Sequence, residues 1–216
     1  MTRILTEHEA KQLLAKYGIP VTKESIATSA DEALAIALQI GSPVAMKISS
    51  PDISHKSDVG GVVLNVKREE VRTTYTELMA LIKKTVPNAK IEGVLVQQMA
   101  PPGHETIVGL KKDAQFGHAL MFGLGGIFVE VYKDVSFRVV PVEMRDALDM
   151  ISEIKGYPIL KGIRGRKPAN IEAIARVLVS VSEMAEKENI IELDINPLIV
   201  NESGAIAVDA RAMVEA

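Results

Sequence analysis

The stretch from Pro43 to Val66, PVAMKISSPDISHKSDVGGVVLNV, constrains the fold of this chain more than any other. It reads as strand, polar loop, strand. The first strand, Val44 to Ile48, carries one lysine, Lys47, among apolar neighbours. A buried ammonium is costly unless it reaches an anion. The loop holds Ser49, Ser50, Asp52, Ser54, His55, Lys56, Ser57 and Asp58 and closes on Gly60 and Gly61. Hydroxyls, a lysine and two glycines offer the donors and the close backbone approach that a phosphate requires. The other reading is a solvated loop between ordinary strands, with Lys47 snorkelling to the surface. The choice depends on whether the rest of the chain supplies a metal site and a nucleotide slot.

Composition narrows the field. With 216 residues the chain can form one domain or two small lobes around a real core. A formal charge of −3 gives no electrostatic case for nucleic acid or an anionic membrane. The absence of cysteine excludes disulfides and thiolate metal sites, so a metal must sit on oxygen or histidine ligands. The opening MTRILTEHEAK has no apolar signal core, and no run approaches membrane-spanning length, so a cytoplasmic location is expected.

Thr6 to Tyr17 reads as a helix. Thr6 and Glu9 make a capping-box pattern, Ala10, Leu13, Leu14 and Tyr17 share a face, and Gly18 and Pro20 stop it. Residues 21–28 suggest a strand. Ala30 to Gln39 suggests a second helix, with Ser29 and Glu32 as another box. Beyond Val66, Glu69 to Thr85 is a longer amphipathic helix with Val71, Tyr75, Leu78, Met79 and Ile82 at helical spacing. Ile91 to Met99 is an apolar strand that runs into Ala100-Pro101-Pro102-Gly103, the strongest hinge signal in the chain. Strands at 105–111, 118–123, 127–132 and 135–142 then follow one another, punctuated by glycines, as in an antiparallel sheet. Glu143 to Ile154 and Ile171 to Glu188 read as helices on either side of the basic loop KGYPILKGIRGRKPAN, and strands at 190–195 and 205–209 follow. The sum is an α+β fold in two lobes, 1–100 and 101–216.

A second stretch, IIELDINPLIVNESGAIAVDARAMV, points to chemistry. Alternation puts Glu192, Asp194 and Asn196 on one strand face, away from Leu193 and Ile195. Asp209 closes the next strand and comes near Asp194 and Asn196 if the two strands pair. Carboxylate and amide oxygens gathered in this way suit Mg²⁺. A polar edge on a surface hairpin is the alternative. The strands are very apolar, however, and their acids are expected to point inward, which favours the metal site. FGLGGIFVEVY fails the dinucleotide fingerprint, because its glycine spacing does not fit and a strand pattern follows. Its Gly125–Gly126 turn either approaches a phosphate or a partner loop, or is an ordinary tight turn. Glu130 is either catalytic or simply polar-out; Glu105 either binds ribose hydroxyls or is a solvent-facing strand end. Arg164 and Arg166 contact a partner or a phosphate, or form a basic surface loop. Among the histidines, His8 reads as exposed, and His104 and His118 as structural. His55 shares its loop with Lys56 and two glycines and can accept a phosphoryl group, since imidazole is a competent nucleophile near neutral pH.

A strand lysine, a hinge after VLVQQM, a glutamate past the hinge, a glycine loop and a terminal LDINP…D together resemble an ATP-grasp domain. Within that superfamily the chain is similar to the β subunit of ADP-forming acetate–CoA ligase, the nucleoside-diphosphate-forming acyl-CoA synthetases. The blocks EHEAKQLLAKYGIPV, VAMKISSPDISHKSDVGGV, GLGGIFVEV, KGIRGRKP and ELDINPLIV carry the resemblance over essentially the whole chain. The resemblance implies an ATP-grasp fold of two α+β lobes clamping a nucleotide, with ATP or ADP and Mg²⁺ as cofactors. By matching position, Lys47 holds phosphates, helped by the glycines Gly60, Gly61, Gly125 and Gly126. Gln97, Gln98 and Met99 frame adenine, and Glu105 binds ribose. Asn196 and Asp209 ligate Mg²⁺, with Asp194 in support. His55 falls where the family has a histidine implicated in phosphoryl relay, and Glu130 is the second catalytic candidate. The family reaction, acyl-CoA + ADP + phosphate ⇌ acid + CoA + ATP, is shared with an α subunit that carries coenzyme A and a phosphohistidine. An α2β2 heterotetramer is implied. The alternatives are a nucleotide-sensing subunit without phosphoryl transfer and a stand-alone carboxylate ligase. The first has no need of His55, and the second needs an acid and amine pocket for which no residues stand out.

Overall fold

The computed structural model describes residues 2–53, 55–126, 132–163, 165 and 167–215. The chain falls into two compact units, one made of Met1–Val21 with Ala100–Ala216 and a smaller one of Thr22–Met99. The order begins with strand β1 (Thr2–Leu5) and helix α1 (Glu7–Lys16). The smaller unit follows: β2 (Glu24–Ala27), α2 (Ala30–Ile40), β3 (Val44–Ser49), β4 (Val62–Val66), α3 (Val71–Thr85) and β5 (Gly93–Gln98). Then come β6 (His104–Asp113), β7 (Gly117–Leu124), β8 (Val135–Val139), α4 (Met144–Glu153), the short α5 (Tyr157–Leu160) and α6 (Ile171–Lys187). The last elements are β9 (Ile190–Asn201), β10 (Gly204–Ala207) and β11 (Ala210–Glu215).

In the smaller unit an antiparallel sheet of order β2-β5-β3-β4 packs one face on α2 and α3. The period of two along β3 sends Val44, Met46 and Ile48 into that core and Ala45, Lys47 and Ser49 to the opposite face. In the larger unit the described strands run β1-β11-β9-β6-β7-β8, with β10 also beside β9. Their core joins Leu14 of α1, Leu120 and Phe122 of β7, Ile151 of α4, Leu178 of α6 and Leu193 of β9. Each such leucine, removed from water, contributes about 2 kcal/mol.

Local signals set the helix starts. Thr6 Oγ1 accepts from the Glu9 amide at 3.4 Å, and Glu9 Oε2 accepts from the Thr6 amide at 2.9 Å, closing the predicted box. The second box is displaced by one residue. Ser29 Oγ accepts from the Glu32 amide, but the Glu32 carboxylate takes the amide and hydroxyl of Thr28, each at 2.7 Å. The buried stripe of α1 is Glu7, Ala10, Lys11 and Leu14, at spacing i, i+3, i+4 and i+7. That stripe is rotated from the expected face: Leu13 and Tyr17 are half-buried, and two charged residues take core positions.

Several expectations are corrected. The first 21 residues do not belong with the segment up to residue 100, because β1 pairs with β11 and α1 packs in the larger core. The penultimate strand does not stop at residue 195. It continues to Asn201, passing Pro197 where the register against β6 shifts, and a bulge is where a strand tolerates proline. A further strand, β11, follows Asp209. The predicted strand at 127–132 lies almost wholly outside the described residues.

At Gly156 the backbone lies so close to its neighbours that a side chain has no room. A Cβ there would collide with Leu124 Cδ1 and lie 3.2 Å from Asp134 Oδ2, while Asp134 accepts from the amides of Lys155 and Gly156, each at 2.7 Å. Gly156→Ala is predicted to cost about 1–3 kcal/mol through overpacking, read as a lower urea midpoint. The pair Gly156→Ala with Leu124→Ala should lose less than the sum of the two single variants, whereas a silent Gly156→Ala would show that the turn yields freely.

Candidate functional site

The smaller unit presents the first group of residues. Lys47 is 5% exposed, on β3 between Val62 of β4 and Leu95 of β5. It does not snorkel. The loop after β3 is tied into its own unit: Ser49 Oγ donates to Glu92 Oε2 at 3.1 Å, and Asp52 Oδ2 accepts from the Lys90 amide at 2.7 Å. His55 is exposed and immediately precedes a 3-10 turn, Lys56–Val59. Gly60 ends that turn with a left-handed φ of 70°, which favours glycine. Its amide donates to the Ser57 carbonyl at 3.1 Å, and the Gly61 amide donates to the Lys56 carbonyl at 2.7 Å. Both glycine amides are therefore spent on the turn, and their contribution is its shape. The Gly61 carbonyl accepts from the Ile48 amide at 2.8 Å, which docks the loop beside Lys47.

At the end of β5, Gln97 is buried and its Nε2 donates to Thr22 Oγ1 at 2.8 Å. Gln98 Oε1 accepts from the Lys23 amide at 3.3 Å. These side chains fasten the strand end to the segment before β2. Met99, half-buried just past the strand, is the first of the three without that role.

The larger unit presents the second group. Glu105 is exposed on β6, and its carbonyl accepts from the Gly125 amide at 2.8 Å. A Cβ on Gly125 would stand 3.1 Å from Glu105 Cβ, so a glycine lets this turn lie against the glutamate. Glu130, Arg164 and Arg166 lie outside the described residues. On β9, Leu193 and Ile195 face the core, while Glu192 and Asn196 are exposed and Asp194 is half-buried. The acids thus occupy the sheet face opposite the core and do not point inward. Asp209 links β10 to β11, and its carbonyl accepts from the Asn196 amide at 3.1 Å. Sequence pattern brings Asp209 to Asn196 correctly, but through this link and not at a strand end.

Asp194 sits among several charges. Burial pushes its carboxyl up, Arg211 opposes that shift, and the charges of Asp209 and Glu192 add to it. Arg211 is the residue that sequence reasoning missed. It stands directly across from Asp194 in the β9–β11 register and lines, with Asp194 and Met121, a groove of about 500 Å³ on this face. The alternation Asp209-x-Arg211 carries the signal once β11 is recognised as a strand.

Among the described residues no three histidine, cysteine, aspartate or glutamate side chains gather as a cage for a metal. Two carboxylates and an amide nevertheless fit Mg²⁺, which binds through one or two carboxylates and completes its shell with water and phosphate. His104 Nε2 donates to the Lys167 carbonyl at 2.9 Å and His118 Nε2 to the Ile190 carbonyl at 2.7 Å, so both serve structure, as the sequence predicts.

The ATP-grasp domain family matches residues 1–214. The β subunit of acetate–CoA ligase [ADP-forming] I from Pyrococcus furiosus is 53% identical over 214 residues, covering 98% of this chain and 92% of that one. The dinucleotide-forming acetyl-coenzyme A synthetase 1 of Ca. Korarchaeum cryptofilum, solved with coenzyme A and Ca-AMPCP, superposes with a TM-score of 0.96 at 49% identity, covering 99% and 94% of the two chains. A second structure of that enzyme holds coenzyme A and Mg-AMPPCP, with its phosphohistidine segment pointing towards the nucleotide-binding site. It superposes with a TM-score of 0.87 at 46% identity over 99% and 93%. This chain belongs to the ATP-grasp family, and within it to the group formed by the β subunits of ADP-forming acetate–CoA ligases.

Proposed function

We propose that this chain is the nucleotide-binding subunit of an ADP-forming acyl-CoA ligase of the acetate type, catalysing acyl-CoA + ADP + phosphate ⇌ acid + CoA + ATP with an α subunit. That partner carries coenzyme A and a phosphohistidine, and the assembly is an α2β2 heterotetramer of the cytoplasm. Among the described residues no helix is long and apolar enough to cross a membrane. The observation that carries this proposal is the gathering of Asp194, Asn196 and Asp209 on the larger unit, in a chain so similar to one solved with Mg-AMPPCP.

Phosphoryl transfer to ADP demands positioning and charge neutralisation more than new covalent machinery. Lys47, fixed on β3, supplies a positive charge to phosphate oxygens. Asn196 and Asp209 hold Mg²⁺ through their side-chain oxygens, and Asp194 supports them from the same face. When bound, Mg²⁺ neutralises the phosphate oxygens around the group in transfer. Met99 frames adenine, with Gln97 and Gln98 fixing the strand end behind it. Glu105 takes the ribose hydroxyls, and the glycine turn at Gly125–Gly126 stays close to it. The phosphoryl group leaves the partner's phosphohistidine by breaking a P–N bond, and His55 forms the new P–N bond. The proton that His55 gives up goes to the departing imidazole of the partner. Passage of the phosphoryl group to a β-phosphate oxygen of ADP then breaks the His55 P–N bond and forms a P–O bond, and the His55 imidazole takes up a proton from solvent.

Two tests follow the two groups of residues. His55→Ala should lower turnover of the reconstituted αβ enzyme by more than about 10³-fold while ADP affinity is kept. Full turnover in that variant would remove His55 from the relay and leave a subunit that only binds nucleotide. Isothermal titration of the chain with ADP should show binding strengthened by Mg²⁺. Asp209→Ala should weaken that Mg²⁺-dependent binding by at least about 100-fold; unchanged Mg²⁺ dependence would reject the assigned ligands.

A further inference from the structure

Four hydrogen bonds fix the short link that carries Asp209. The Ala207 amide donates to the Pro20 carbonyl at 2.8 Å and the Val208 amide to the Pro197 carbonyl at 3.0 Å. The Asp209 carbonyl accepts from the Asn196 amide at 3.1 Å, and the Val208 carbonyl accepts from Lys11 Nζ at 3.0 Å. Two of these four come from the first 21 residues, so the start of the chain holds the link in place.

Lys11 is an unusual choice for that task. It is 1% exposed, with Glu7 Oε1 3.8 Å from its ammonium, in helix positions that otherwise bury Ala10 and Leu14. Taking both charges out of water is costly, and apolar residues of similar volume are often as stabilising or more so. The buried pair is therefore weak evidence of a gain in fold stability. The reach of Lys11 gives a different reason for a lysine: the side chain crosses from α1 to the peptide that precedes Asp209.

We propose that Lys11 is a positioning residue for the cation site, an inference that rests on Asp209 being a Mg²⁺ ligand. By donating to the Val208 carbonyl, Lys11 fixes the plane of the Val208–Asp209 peptide and so the direction from which the Asp209 carboxylate meets the cation. Groups that orient metal ligands in this way typically change metal affinity by about 10- to 100-fold when removed.

The test uses the whole chain and Mg²⁺ titrated calorimetrically at saturating ADP. Lys11→Met should raise the Mg²⁺ dissociation constant about 10- to 100-fold. It leaves the Glu7 carboxylate buried without this ion-pair partner and so lowers the melting temperature. Lys11→Met combined with Glu7→Leu, which removes both buried charges, should raise the constant alike while keeping a thermal transition nearer that of wild type. Leu14→Ala, from the same buried stripe, should lower the melting temperature and leave the Mg²⁺ dissociation constant unchanged. An unaltered constant in Lys11→Met, or an equal loss in Leu14→Ala, would overturn the positioning role. If Lys11→Met does not fold, hydrogen exchange on the wild type decides. Site coupling is reciprocal, so Mg²⁺ with ADP should slow exchange of the α1 amides around Lys11 by at least about fivefold relative to ADP alone, and no slowing overturns the proposal. Asp209→Ala separates the two levels. If it keeps full Mg²⁺ affinity, the ligand assignment and the proposal fall together; if it loses affinity while Lys11→Met does not, only the positioning role falls.

Discussion

The hydrogen bonding of β9 is what the rest of the larger unit depends on. One edge of this strand pairs with β6 from Glu192 to Val200. The other edge is shared: β11 pairs with its first half, Ile190 to Ile195, and β10 with its second half, Leu198 to Asn201. Between those partners the edge beside Asn196 and Pro197 is taken by the Val208–Asp209 link, through the Asn196 amide and the Pro197 carbonyl. The register shift against β6 falls at the same point and changes which residues face the core, from Leu193 and Ile195 before it to Leu198 and Val200 after it. A carboxylate is thus delivered to an amide-bearing position because the sheet changes partners there. The backbone geometry comes first, and the oxygen cluster is its consequence.

The smaller unit solves a different problem. Lys47 must stay on a buried strand face, and the loop after it must be held without blocking that face. The loop does so with its own polar groups: Ser49 bonds Glu92, Asp52 bonds Lys90, and the glycine amides close the 3-10 turn. Residues that read as phosphate donors in the sequence are in several cases braces. His55 is different. It stands exposed at the start of the turn, on a loop whose two ends are fastened.

Much of this was legible in the sequence because the signals are local. Thr6 and Glu9 cap α1, the alternation in VAMKI puts Lys47 opposite a core face, and the spacing of Glu192, Asp194 and Asn196 puts them on one side of β9. The ATP-grasp resemblance followed from the order of such blocks. What stayed hidden depends on distant partners. Nothing in MTRIL announces that β1 pairs with β11, and Pro197 reads as a strand end until β9 is seen to bulge there, with Asn196 and Pro197 set against the single β6 residue Ile107. The inward direction expected for the acids failed because one face of the sheet does not join the apolar core, a property of the assembled layers. Gln97 reads as a base-framing group, yet its amide belongs to Thr22, across a sequence distance that no periodicity spans. Lys11 was legible only afterwards, as a charged pair with Glu7 inside an apolar stripe.

The most direct measurement is a single turnover of phosphoryl transfer. An α subunit labelled with ³²P on its phosphohistidine is mixed with this chain, ADP and Mg²⁺, and quenched at intervals. Label should pass from the α subunit into ATP, only when this chain and Mg²⁺ are both present. Label that stays on the α subunit at saturating ADP, or that reaches ATP equally well without this chain, would contradict its role as the nucleotide-side half of the enzyme.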